Sequence, residues 1–99
     1  MINTEILISH IPYGRENAVS RDYLSMLLGV TDREMRKVIR QARNEGHIII
    51  NDQNGRGYYQ SDDLDHIARQ YRQNQHRALS ILVQQKHLRK RLKEAGREV

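Results

Sequence analysis

Residues 20–45, SRDYLSMLLGVTDREMRKVIRQARNE, decide the fold of this chain. Their spacing predicts two short helices joined by a tight turn at Gly29, where a residue without a side chain can adopt positive φ. Small Ser25 falls where the two helices would cross closely. The positions that must be apolar to pack one helix on the other hold Leu24, Leu28, Val30, Met35 and Val38. The second helix is therefore expected to bury one face and expose the other.

Capping chemistry predicts where both helices begin and end. Thr31 and Glu34 have the spacing of a capping box, in which the threonine hydroxyl and the glutamate carboxylate accept each other's backbone N–H. Ser20 is expected to cap the first helix in the same way. Gly46 follows the second helix and is a good C-terminal cap residue. Both helices thus carry their own start signals.

The composition favours a polyanionic partner. The chain has 99 residues and a formal net charge of +5, with a sequence pI near 9.9. It has no cysteine, which excludes disulfides and a thiolate metal site. No apolar run is long enough to cross a membrane, and Met1 is not followed by a secretion signal. We therefore expect a cytoplasmic protein of one small domain with an appendage, without membrane contact.

The flanking segments predict a helix before this pair and a hairpin after it. Residues 2–11 place four apolar side chains on one helical face and end at a proline, which stops a helix. Those four are Ile2, Ile6, Leu7 and Ile11. Residues 13–19 are interpreted as a polar connection. Two short extended segments, 47–51 and 58–60, flank Asn54-Gly55, a good hairpin turn signal.

The segment LLGVTDREMRKVIRQARNEGHIII…GRGYY resembles the winged helix-turn-helix family of prokaryotic and phage DNA-binding proteins. The resemblance covers residues 2–60. It implies a mainly α fold with a small β-hairpin wing over residues 1–60, whose recognition helix (about 31–45) enters the major groove of double-stranded DNA. Small size, high charge and the lack of a sensor domain are typical of phage or prophage products.

The exposed face of the second helix carries the candidate reading surface. If this helix buries its apolar residues, its opposite face presents a basic stripe at i, i+3, i+4 and i+7. The stripe is Arg33, Arg36, Lys37 and Arg40. Arginine in the major groove can bond guanine O6 and N7 together, whereas the alternative is an ordinary solvated face.

Other candidate DNA contacts lie at helix starts and in the hairpin. Thr31 and Asp32 open the second helix; Asp32 could accept from cytosine N4, but favouring the positive end of the helix dipole is the preferred interpretation. Ser20 and Arg21 are candidate phosphate contacts. Arg56 would lie at the wing tip and reach the minor groove or a phosphate, or serve only as a solubilising charge. Of the two adjacent tyrosines that follow, one is expected to pack inward and the other to face out.

Residues 61–99 form the second predicted domain, a helical extension. Ser61-Asp62-Asp63 is a helix start, and no proline or glycine follows before Gly96. A single helix here would be roughly 50 Å long, whereas a break at residues 72–75 would give a helical hairpin. A heptad-like apolar pattern favours a homodimer through this segment. The residues proposed for it are Ala78, Leu79, Ile81, Leu82, Leu88 and Leu92.

Nothing in the sequence indicates catalysis, and we expect neither an enzyme nor a cofactor. The five histidines show no spacing of a metal site, and no phosphate-binding glycine loop is present. Two functions remain. The first is a sequence-specific, dimeric DNA-binding protein that regulates transcription or binds a replication origin. The second is an inhibitor or adaptor on the same scaffold that targets a host or phage protein or a structured RNA.

Overall fold

The computed structural model describes residues 2–52, 55 and 57–99. Along these, the elements are α1 (Thr4–His10), a 3₁₀ turn (Arg15–Asn17), α2 (Arg21–Leu28), α3 (Asp32–Asn44), β1 (Ile49–Asp52), β2 (Gly57–Gln60) and α4 (Leu64–Glu94). The fold is mainly helical, with a small antiparallel hairpin and a long C-terminal helix. The chain forms two compact units, Met1–Ile67 and Ala68–Val99.

The turn between α2 and α3 has the predicted geometry. Gly29 adopts the left-handed conformation at φ 66°, and the next amide, that of Val30, donates to the carbonyl of Ser25 at 3.0 Å. The Ser20 hydroxyl accepts the Tyr23 amide at 3.0 Å, which confirms the cap of α2. These bonds satisfy backbone groups that helix ends leave without partners, so both ends of α2 are held in place.

The core of the first unit lies where α1, α2, α3 and the hairpin meet. Its buried side chains come from all of these elements. They include Leu7, Ile11, Leu24, Met35, Val38, Ile39, Ala42, Ile49 and Tyr58. Of the four apolar residues predicted to share one face of the first helix, Leu7 and Ile11 are buried, whereas Ile6 is 42 % exposed. Helix α1 begins at Thr4 and is only two turns long, so it presents a narrow face to the core. Leu7 and the C-cap residue Ile11 are the apolar side chains buried there.

The hairpin strand β2 is paired on both sides. Along one edge it faces β1, with Ile50 opposite Tyr59. Along the other edge, Val19 and Tyr58 exchange backbone hydrogen bonds of 3.0 and 2.7 Å, and the Gln60 amide donates to Pro12 at 2.7 Å. Residues 13–19, predicted to be a polar connection, therefore also pair with the sheet. Tyr13 and Val19 each form a single bridge to β2, and a single bridge leaves no strand pattern in the sequence.

Tyr58 and Tyr59 are both buried, at 8 % and 0 % exposed, so the prediction that one would face outward was wrong. The two faces of this strand are both covered. Tyr59 donates or accepts a 3.1 Å hydrogen bond with Nδ1 of His66, in the first turns of α4. The guanidinium of Arg43 lies over the Tyr58 ring, 5.8 Å from its centre.

The C-terminal segment is one continuous helix, α4, and the alternative of a helical hairpin is wrong. The start predicted at residues 61–63 is confirmed, since the Ser61 hydroxyl accepts the Asp63 amide and the Asp63 carboxylate accepts the Asp65 amide. The polar residues 72–75 are good helix formers or neutral ones, and they do not interrupt it. Among the described residues, no helix combines the length and the apolar character that crossing a membrane requires.

Candidate nucleic-acid interface

Helix α3 separates a buried apolar face from an exposed basic one. Met35, Val38, Ile39 and Ala42 are buried, as predicted. The opposite face exposes the basic stripe, which is Arg33, Arg36, Lys37 and Arg40. From the first to the last of these residues the stripe extends about 10 Å along the helix axis. The burial on one side fixes which way the cationic side points.

A capping box fixes the start of α3. The Glu34 amide donates to the Thr31 hydroxyl at 3.1 Å, and the Thr31 amide donates to the Glu34 carboxylate at 3.2 Å. Both halves of the predicted box are therefore present. A hydroxyl that accepts one hydrogen bond still has a proton to donate. The Thr31 side chain can therefore cap α3 and donate to an external acceptor at the same time.

The start of α2 is held by the sheet. Val19 pairs with Tyr58 on β2, and Ser20 follows directly as the cap of α2. Gly57 makes this approach feasible, because a Cβ at this position would overlap the backbone carbonyl of Val19. The positions of Ser20 and Arg21 thus depend on a glycine that lies far from them in sequence.

Arg21, Asp32 and Arg36 form an ion-pair group that joins the starts of α2 and α3. The Nε–H of Arg21 donates to Oδ1 of Asp32, and Nη2 of Arg36 lies 2.7 Å from Oδ2. The hydrogen bond from Arg21, with a smaller contribution from Arg36, holds the pKa of Asp32 below its ordinary value. The same bond, followed by one with Tyr58, raises the pKa of Arg21.

This group changes the role expected of Asp32. Both of its carboxylate oxygens already accept from arginine, so the preferred interpretation, an acid placed only for the helix dipole, was incomplete. The carboxylate instead sets the orientation of Arg21 and Arg36, two of the predicted DNA contacts.

The remaining three cations of the stripe are differently placed. Within the described residues, Arg33, Lys37 and Arg40 form no ion pair and are exposed. Their charges are fully presented to solvent, where a polyanion can reach them. The face therefore combines two arginines oriented by Asp32 with three side chains that can adapt to a ligand.

Two further arginines support this surface, and neither was predicted from the sequence. Arg43 donates from both Nε and Nη2 to the carbonyl of Ile49, at 3.2 and 2.9 Å, and so ties the end of α3 to β1. Arg15 pairs with the buried carboxylate of Asp52 at 2.9 Å, and this hydrogen bond raises the pKa of Arg15. Arg15 and Asp52 are 37 residues apart in the sequence, and Arg43 and Ile49, six apart, belong to two different elements, so no helix or strand spacing indicates either contact.

The proposed wing residue, Arg56, lies outside the described residues. The turn between β1 and β2 includes Gly55, at φ 85°. Within residues 2–52, 55 and 57–99, no three histidine or acidic side chains lie close enough together to hold a metal ion.

Comparison of the chain with known protein families, with curated proteins and with solved structures found no match.

Proposed function

We propose that the first unit is a winged helix-turn-helix domain that binds double-stranded DNA with α3 in the major groove. One observation carries the proposal: the basic stripe lies opposite the buried face of a helix whose start is fixed. An α-helix fits the major groove of B-DNA, and arginine there can distinguish guanine. The hairpin would be the wing, with Arg56 at the adjacent minor groove or phosphate.

The start of α2 supports the same orientation. In this arrangement Ser20 and Arg21 would contact phosphates and set the register, while residues of α3 would read the bases. Arg21 is held by Asp32, and Ser20 follows Val19, which pairs with β2, so both residues have defined positions before DNA binds. Fixed positions lower the entropy lost on binding. The biological role we propose is regulation of transcription or recognition of a replication origin in the cytoplasm, and not catalysis.

The first test is selection from random duplex DNA at about physiological salt, where binding to any polyanion is weakened. Enrichment of a defined sequence is the expected result. Absence of enrichment by a folded protein would contradict a sequence-specific role.

A pair of matched variants then tests the surface. Lys37→Gln with Arg40→Gln removes two charges from the stripe, and Lys90→Gln with Lys93→Gln removes two charges from exposed positions on α4. Only the first variant should lose affinity for the selected duplex, by roughly tenfold or more. It should also relax the preference for particular bases at the positions that these side chains read. Equal losses in both variants would mean that net charge, and not the stripe, determines binding.

The second candidate function is a winged-helix inhibitor or adaptor that targets a protein or a structured RNA. Exposed apolar side chains on α2 favour it, since Met26 is 77 % exposed beside Tyr23 and Leu27. DNA phosphates offer such side chains no apolar surface to pack against. A protein that folds normally and enriches no duplex sequence would support this candidate over the first.

A further inference from the structure

Helix α4 exposes an apolar surface of its own in the second unit. Ile81 is 52 % exposed, Val83 is 54 % exposed, and neighbouring aliphatic side chains are exposed as well. The others are Leu79, Leu82, Leu88 and Leu92. Large apolar side chains exposed together on one helix indicate an interaction site, so the question is which molecule covers them.

A seam with a heptad spacing runs along this helix. Its first set of positions is Tyr71, Ala78, Gln85 and Leu92, and its companion set is Asn74, Ile81, Leu88 and Ala95. The side chains of both sets are exposed. A seven-residue repeat keeps one face toward a partner helix that repeats in the same way. A second copy of this chain has that repeat by definition.

An antiparallel partner matches this seam layer by layer. When residue numbers in facing positions add up to 159, Tyr71 faces Leu88, and small Ala78 faces large Ile81 of the second copy. A parallel pair in register would place Ala78 against Ala78 and leave a gap, which costs contact energy. The antiparallel alignment therefore sets each Ala78 against a large side chain and avoids this gap.

The same alignment brings the two polar seam residues together. Asn74 faces Gln85 of the second copy, once at each side of the centre. Both are amides with donors and acceptors, so they can bond each other inside an otherwise apolar seam. Oδ1 of Asn74 already accepts from Gln70 at 2.8 Å, which orients the amide. Any shift of one turn would bury one amide against an aliphatic side chain, so this layer would fix the alignment.

Charge decides between the two directions. Residues 86–93 carry five lysines and arginines and no acid. A parallel pair would bring these two segments side by side, whereas the antiparallel alignment places each beside residues 66–73, which carry two arginines. Like charges within a Debye length repel. The antiparallel direction reduces this repulsion.

We propose that two copies of this chain associate through α4 as an antiparallel helix pair, with Asn74 facing Gln85 and Ala78 facing Ile81. The proposal goes beyond DNA binding and does not depend on it. Leu82 flanks the seam and gains cover, whereas Leu79 and Val83 lie on the outer side of this pair.

Two variants of the full chain test the seam by light scattering. Wild type should have twice the chain mass of 11.7 kDa. Ile81→Glu should become a monomer, since it buries a charge in the seam. Val83→Glu changes an equally exposed β-branched residue two positions on and should remain a dimer. A monomeric wild type, a larger assembly, or equal behaviour of the two variants would overturn the proposal.

Cysteine pairs test the direction, and the chain has no cysteine to interfere. In the antiparallel pair, Leu88→Cys alone places its two sulfurs about 25 Å apart along the axis, too far for a disulfide. Leu88→Cys with Tyr71→Cys in one chain brings unlike positions together, so only this double variant should form a disulfide-linked dimer. A Leu88→Cys variant that cross-links on its own would establish a parallel pair and refute the proposed direction.

Discussion

Replacing Gly57 by alanine tests how the sheet holds the start of α2. Gly57 has φ +105°, and an added Cβ would overlap backbone atoms of Val19 and Ser20. Gly46 provides a matched control, since its φ is +103° and an added Cβ there meets no atom within 4 Å. The two substitutions therefore place alanine at nearly the same positive φ, but only the one at Gly57 collides with a neighbouring backbone segment, Val19 and Ser20.

The expected magnitudes follow from these contacts. An alanine at such a positive φ costs about 1–2 kcal/mol of strain, and both variants bear this cost. The overlap at Gly57 also separates Val19 from Tyr58, which exchange two backbone hydrogen bonds. Each bond contributes about 1 kcal/mol. Gly46→Ala should therefore lower the free energy of unfolding by about 1–2 kcal/mol, and Gly57→Ala by about 3–4 kcal/mol.

Urea denaturation at one fixed protein concentration measures both values, because association would otherwise contribute to the apparent stability. Hydrogen exchange then locates the effect: the amides of Val19 and Tyr58 should lose protection in Gly57→Ala and keep it in Gly46→Ala. If the two variants were equally destabilised, the Val19–Tyr58 bridge would not depend on the missing side chain. The explanation of how β2 positions Ser20 and Arg21 would then fail.

Two further predictions concern the start of α3. Thr31→Ala removes the side-chain half of the capping box and should lower the free energy of unfolding by about 1 kcal/mol in urea denaturation; Thr31→Ser, which keeps the hydroxyl, should not, and an equal loss would discount the cap. Asp32→Asn tests the ion pairs with Arg21 and Arg36, whose effect is to keep the folded pKa of Asp32 below its ordinary value of 3.8. A lowered folded pKa stabilises the protein above the ordinary pKa and less as the pH falls below it, so wild type should melt above Asp32→Asn at neutral pH and approach it in acid, whereas a constant difference across pH would contradict the ion-pair account.

Local chemistry could be predicted from the sequence with good detail. The capping box of Thr31, the left-handed Gly29 and the buried face of α3 each depend on residues within one or two turns of one another. The coarse order of helices and hairpin follows from such signals. The continuity of α4 was one of two alternatives, because the pattern at residues 72–75 is compatible with both.

Contacts between distant segments could not be predicted in this way. The burial of both Tyr58 and Tyr59 requires cover on two faces of β2, and period-two alternation along a strand assumes cover on one. The pairing of Asp32 with Arg21 depends on how α2 and α3 cross. For the candidate interface, the stripe was therefore visible in the sequence, while the groups that orient it were not.

The hydrogen bonds of Gln60 determine when the first unit can complete its folding during translation. Its side chain donates to the carbonyls of Ile8 and Ile11, across 52 and 49 residues of chain, and its backbone pairs with residues 12–14. A chain emerges from the ribosome N-terminus first, so α1, α2 and α3 appear before the strand that closes the sheet around them. Such long-range closure is the slow part of folding. Nascent chains shorter than 60 residues should therefore expose core side chains such as Leu7 and Leu24 to chaperones and proteases. This exposure should end once β2 has been synthesised.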